Sequence, residues 1–173
     1  MKKQHTLAIV LGKGGLLSSI LPQESIEEKL KIASANSLFL AVKFSTLHYL
    51  VQGATFSDVH KITEKYYEHF FEGYDFYNER LVQRHSTPIR TIKEATDITK
   101  LNETELKDEY TIEEALKEVL MLLSKHRHFI HNMKKIAADE EDFVTEDHCI
   151  DELSWLDKEI WFIKSRLSIN HIY

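Results

Sequence analysis

The 173-residue sequence contains one cysteine, two prolines and five glycines. With Cys149 alone, no disulfide can form within the chain, which excludes the framework of a small disulfide-stapled secreted domain and fits a reducing cytoplasm. So few prolines and glycines leave few breaks in the chain, favouring long helices over short strands joined by turns. No stretch reaches the roughly 18 uncharged apolar residues that a membrane-spanning helix needs, so no membrane partner is expected. The N-terminal MKKQHTLAIVLGKGG imitates a secretory signal, but Lys13 interrupts its short apolar run and no small-residue cleavage site follows. Its GKGG does not satisfy the phosphate-loop pattern G-x-x-x-x-G-K-[ST]. Positive charge is also in deficit: the net charge is −6. Nucleic acid therefore has no whole-chain electrostatic footprint to meet, and any contact with it must come from a local basic segment.

What is present is ordinary globular composition, 43% hydrophobic and 29% charged, in a length that suits one domain. Four long helical patterns stand out. The first runs from about Ser25 to Val51, opened by a capping box of Ser25 and Glu28, with an apolar stripe through Leu30, Leu40, Phe44 and Leu47. After Gly53 supplies a turn, a second runs from about Ser57 to Gln83 through Val59, Tyr66, Phe70, Tyr77 and Leu81. A third starts at Thr111, with Glu114 completing a capping box, and reaches about Ala138. A fourth follows DEEDFVTED and uses Cys149, Leu156, Ile160 and Ile163. The irregular stretch between the second and third patterns leaves room for a short helix in RTIKEATD. The pattern predicts an all-α four-helix bundle with one long crossover and a short extra helix within it.

The second helix carries two polar pairs, His60 with Glu64 and Asp75 with Glu79, each spaced so that both members face one way. Along a continuous helix, Glu64 and Asp75 are separated by roughly 16 Å of rise, too far for one metal ion. Opposed residues on two antiparallel copies related by a twofold axis have position numbers with a constant total. That total is 139 for His60 with Glu79 and again for Glu64 with Asp75. One register thus joins both pairs at each end of a dimer contact, with the crossing point near His69 and Phe70. His48, just across the Gly53 turn, completes a set of two imidazoles and three carboxylates, donors that suit Fe(II), Mn(II) or Zn(II). Either pair alone is as readily a solvated i,i+4 charge pair. A single-chain di-iron site needs Glu-x-x-His on two helices, and no E-x-x-H occurs in the sequence.

The segment KFSTLHYLVQGATFSDVHKITEKYYEHFFEGYDFYNERL resembles the ferroxidase region of the Dps family, the mini-ferritins. The family pattern is His, His at +12, Asp or Glu at +16, Asp at +27 and Glu at +31, which falls here on His48, His60, Glu64, Asp75 and Glu79. STPIRTIKEATD and FVTEDHCIDELSWLDKEIWFIKSRL continue the resemblance, over about residues 25–168. Two positions depart from the common pattern. Tyr49 stands where Trp is usual, and Glu64 where Asp is more frequent.

The resemblance implies a ferritin-like domain over residues 23–170, preceded by an extension over residues 1–22. It implies a hollow homododecamer built from twofold dimers, with two iron ions at each intersubunit centre. Fe(II) would be oxidised there, preferably by hydrogen peroxide, and stored as ferric mineral, protecting DNA from oxidative damage. It places a pore that admits iron near the start of the fourth helix, with Asp142, Glu146 and Asp147 as its acids. Acids there also simply favour a helix N-terminus. The family often binds DNA through lysine-bearing N-terminal extensions, so Lys2, Lys3 and Lys13 are the candidate DNA contacts, in a cytoplasmic and nucleoid-associated protein. In KHRHFIH, His128 and His131 share a helix face, and His126 does not. The rival expectation is a DNA-binding shell with a weak or inactive ferroxidase site.

Overall fold

The computed structural model describes residues 25–101 and 107–168. Five helices follow in order: α1 (Ile26–Leu50), α2 (Phe56–Gln83), α3 (Ile92–Ile98), α4 (Ile112–Asp139) and α5 (Phe143–Arg166). α1 packs mainly on α2 and α4 mainly on α5, while the short α3 lies against α1. The result is the expected four-helix bundle with a short helix in its long connection.

The helix ends follow from local chemistry. Both predicted capping boxes form: Glu28 N–H donates to Ser25 Oγ and Glu114 N–H to Thr111 Oγ1, and each glutamate accepts from its cap's backbone N–H in return. α2 and α4 end with His85 (φ 58°) and Glu141 (φ 57°) in the left-handed region. The next N–H reaches back in each case, Ser86 to Leu81 O and Asp142 to Ala137 O, closing the last turn. Glu140, in the acidic run, accepts from the first N–H of α1 at Ile26, 3.0 Å away.

Between α1 and α2, β1 (Val51–Gln52) pairs in parallel with β2 (Tyr110–Thr111), tying the end of α1 to the start of α4. Two residues a strand are too few to leave a readable alternation, so this bridge had no signature in the sequence. Gly53 follows it at φ 136°, and a Cβ there would lie 2.9 Å from Ile112 Cγ1. Gly53→Ala should therefore cost about 1–3 kcal/mol, read as a lowered midpoint in thermal or denaturant unfolding.

The core is built on the predicted stripes, with Phe44, Tyr66, Phe70 and Tyr77 among its largest buried side chains. The fourth stripe contains more than apolar residues. Thr145, Cys149, Glu152, Leu156, Glu159 and Ile163 are all buried, at steps of 4, 3, 4, 3 and 4. Glu159 accepts from the Tyr66 hydroxyl at 2.9 Å and pairs with Lys65, and Glu152 bonds His69 at 2.8 Å. That spacing was visible in the sequence, but a residue-type reading passes over carboxylates when it looks for a core.

His126 is fully buried on α4, and burial lowers its pKa to about 4 against an ordinary 6.5. The neighbouring Glu152 carboxylate opposes that shift without cancelling it. The unfolded chain therefore binds the extra proton first, and stability should fall as pH drops from about 6.5 towards 4. The loss amounts to up to about 3 kcal/mol per chain. Melting curves across that range should show it, and His126→Leu should remove most of the slope.

Candidate metal centre

His48 lies in the last turn of α1 and His60 in the second turn of α2, on the two arms of the Gly53 turn. Their rings stack at 3.5 Å between centroids, 20° from parallel. Each ring is held by the backbone of the other residue: His48 Nδ1 lies 2.9 Å from His60 O, and His60 Nδ1 lies 3.0 Å from His48 O. A carbonyl oxygen only accepts, so both Nδ1 atoms carry hydrogen and both Nε2 atoms present a lone pair. This reciprocal lock sets tautomer and orientation in the manner of outer-shell partners at metal sites.

Glu64 sits one helical turn beyond His60 and is half-buried. Tyr67 stands edge-on to His48 with centroids 5.4 Å apart. Partial burial, and then the adjacent Glu64 carboxylate to which it hydrogen-bonds, push the Tyr67 phenol above its ordinary pKa. Phe56 packs over the other side of His60 at 4.9 Å. Tyr49 is exposed and edge-on to His48 at 5.4 Å, and its hydroxyl accepts a 2.9 Å hydrogen bond from Ser45 Oγ.

Asp75 and Glu79 are exposed at the other end of α2, in an open groove shared with Tyr74, Asn78, Val82 and Ile89. α2 is continuous between the two ends. One chain therefore gathers His48, His60 and Glu64 at one end and leaves Asp75 and Glu79 at the other. Among the described residues, no three His, Cys, Asp or Glu side chains of one chain stand grouped for a metal ion.

A second groove of about 800 Å³ runs between α1 and α2, lined by Ala41, Val42, Ser45, Tyr49, Tyr67 and Phe71 among others. Val42, Tyr49, Phe71, Phe56, Val82 and Ile92 are large apolar side chains left exposed on these helices and α3, an amount that signals a covered face. His69 and Phe70, the expected crossing point, point away from this groove. Phe70 is in the core, and His69 stacks on Trp155 at 3.6 Å. The crossing level is theirs, but the groove's side chains at that level are Tyr67, Glu68, Phe71 and Glu72.

The three pore acids have different surroundings. Asp142 caps α5, and its carboxylate accepts from Arg80, Arg84, the Thr145 N–H and the Thr145 hydroxyl, with no side-chain exposure. Burial alone would raise its pKa, yet these hydrogen bonds hold it below the ordinary value. A carboxylate so engaged has no oxygen to offer a passing ion. Asp147 is exposed, and Glu146 is half-buried 3.9 Å from Lys134. Lys2, Lys3 and Lys13 lie outside the described residues.

Comparison with known proteins places this geometry in context. A family model for the ferritin-like domain matches residues 27–170. The DNA protection during starvation protein of Helicobacter pylori is 33% identical over 144 residues, covering 82% of this chain and 97% of that protein. Dps from Listeria monocytogenes superposes with a TM-score of 0.81 at 25% identity, over 85% of this chain and 96% of that one. A structure of Dps from Listeria innocua soaked with cobalt gives a TM-score of 0.81 at 25% identity, over 85% and 94%.

Proposed function

The chain belongs to the Dps family of ferritin-like proteins, and from that premise we propose that it oxidises Fe(II) at centres shared between twofold-related subunits and stores the ferric product. The observation that carries the proposal is the His48–His60 lock, which holds two imidazole Nε2 lone pairs beside Glu64 at one end of the α1–α2 face. Asp75 and Glu79 stand where a partner in the 139 register would deliver them to that end. The groove supports the same register: its α2 positions 67 with 72, and 68 with 71, also total 139. Phe143, Val144, Trp161 and Phe162, exposed on α5, offer further apolar surface for contacts beyond the dimer, as a dodecamer requires.

In this reading His48 and His60 supply nitrogen donors, and the three carboxylates supply charge and bridging oxygens that suit both Fe(II) and Fe(III). Hydrogen peroxide takes two electrons, one from each of two Fe(II) ions, and with two protons leaves as two waters. Pairing the electrons in this way breaks the O–O bond without releasing hydroxyl radical, which is how such a centre protects DNA. Asp147, with Glu146, is the pore acid suited to admit iron, whereas Asp142 is committed to holding α5. Glu64 and Tyr49 tune the site: Glu64 is already engaged by Tyr67, and the Tyr49 hydroxyl is tied back to Ser45. DNA contact through Lys2, Lys3 and Lys13 is a separate part of the proposal, and deletion of residues 2–20 should weaken gel-shift binding at low salt.

The test of the main reading is stopped-flow Fe(II) oxidation by hydrogen peroxide on protein of measured mass. The assembled protein should accelerate oxidation well beyond the protein-free rate. An assembled shell that leaves the rate unchanged would overturn this reading and leave the rival, a shell with a silent centre, whose DNA contact the gel shift tests.

A further inference from the structure

The spacing of His60 and Glu64 in HKITE recurs once more, in HCIDE, as His148 and Glu152. One i,i+4 pair lies beside the α1–α2 groove, and the other turns into the bundle. Glu152 is buried on the inner face of α5, and α4 and α2 bring further imidazoles to it. His126 Nε2 lies 3.7 Å from Glu152 Oε1, and His69 Nε2 lies 2.8 Å from Glu152 Oε2. Neither ring nitrogen of the fully buried His126 has a protein hydrogen-bond partner, and neither do His148 Nε2 and the Tyr77 hydroxyl. Burial lowers the pKa of both His126 and His148 and so favours their neutral rings, while burial alone would raise Glu152 and the His69 hydrogen bond holds it below its ordinary value.

Buried polar atoms without partners are rare and call for water or an ion. Four orphaned atoms on three residues around one carboxylate are more than packing explains. The 3.7 Å between His126 Nε2 and Glu152 Oε1 is too long for a hydrogen bond. It is close to the roughly 3.4 Å that separates two ligands, each about 2.1 Å from one tetrahedral metal. The His69 hydrogen bond holds the opposite carboxylate oxygen and aims Oε1 at His126, as an outer-shell partner does.

We propose that the bundle interior holds a second, mononuclear site for a first-row divalent cation, with Glu152 Oε1, His126 Nε2 and His148 Nε2 as ligands and His69 as the positioning residue. It differs from the intersubunit centre in lying within one chain and in needing no partner. His148 stacks on Phe76 at 3.5 Å and must turn about its side-chain bonds to join the other two, which is why three donors are not yet grouped. Two imidazoles and one carboxylate in an apolar surround favour Zn(II), Co(II) or Fe(II) over Mg(II) or Ca(II). His69, a quarter exposed, marks the way in.

The test uses Co(II) on the full-length assembled protein, in a His60→Ala/Glu79→Ala background that disables the intersubunit centre. About one Co(II) per chain should remain, with the strong visible absorption of four-coordinate N/O cobalt. His126→Leu removes unpaired polar atoms from the core instead of creating any, so the fold survives it, and that one equivalent and its absorption should vanish. Glu152→Gln keeps an oxygen for His69 and should also lose it, at unchanged assembly mass. Absence of the equivalent from the parent background, or its persistence in either further variant, overturns the proposal.

Discussion

Assemblies made by unfolding and refolding an equal mixture of His60→Ala and Glu79→Ala chains should recover about a quarter of the wild-type rate of Fe(II) oxidation, although each variant alone is nearly inactive. The argument is combinatorial. Each proposed centre takes His48, His60 and Glu64 from one chain and Asp75 and Glu79 from its twofold partner. In a mixed dimer one centre carries both lesions and the other carries neither. Random pairing makes about half the dimers mixed, so about one centre in four is intact. Each variant alone should lose on the order of 100-fold, because changes even to outer-shell groups at metal sites cost about 10–100-fold. Stopped-flow oxidation by peroxide gives both readouts. A mixture no faster than its components would remove the shared-centre reading, since a centre housed in one chain cannot be complemented by another.

The second large effect concerns stability. Asp142→Ala should destabilise the chain by about 3–5 kcal/mol, the usual cost of removing one partner from a buried ion pair. Its carboxylate joins Arg80 and Arg84 of the α2 end to the first turn of α5, and Arg84 also bonds Glu27 at the start of α1 and Glu140 after α4. Without Asp142, two guanidinium groups lose their buried partner and α5 loses its cap. The melting temperature should fall by roughly 6–20 °C for a chain of this size. Asp142→Asn, which keeps an oxygen for Thr145 but not the charge, should fall between wild type and alanine. Because the folded pKa of Asp142 lies below its ordinary value, its contribution is complete above that ordinary value and fades as pH falls through the lower, folded one. A melting temperature unchanged in Asp142→Ala would show that Arg84 carries the contact through Glu27 and Glu140 alone. Iron uptake measured on the same variant separates this structural role from a pore role.

The helices and the five candidate ligands were legible in the sequence because both depend on spacing along one chain. A period near 3.6 with a capping box at its start specifies a helix whatever it packs against, and α1 and α4 begin where Ser25–Glu28 and Thr111–Glu114 say they should. A constant total of 139 is likewise a property of one helix, and it names a register before any partner is seen. Tertiary structure alone decided which chemistry faces which. It took the Gly53 turn to bring His48 and His60 close enough for each to bind the other's carbonyl, and that contact sets both tautomers. It took the approach of α2 and α4 to turn Glu152, Glu159 and His126 from charges on a helix face into buried groups. The sequence alone reads Asp142 as a pore acid, and only the fold shows Arg80 and Arg84, about sixty residues earlier in the chain, holding it. Periodicity reports which face of a helix is buried, but hydrogen bonds form between groups that only the fold makes neighbours.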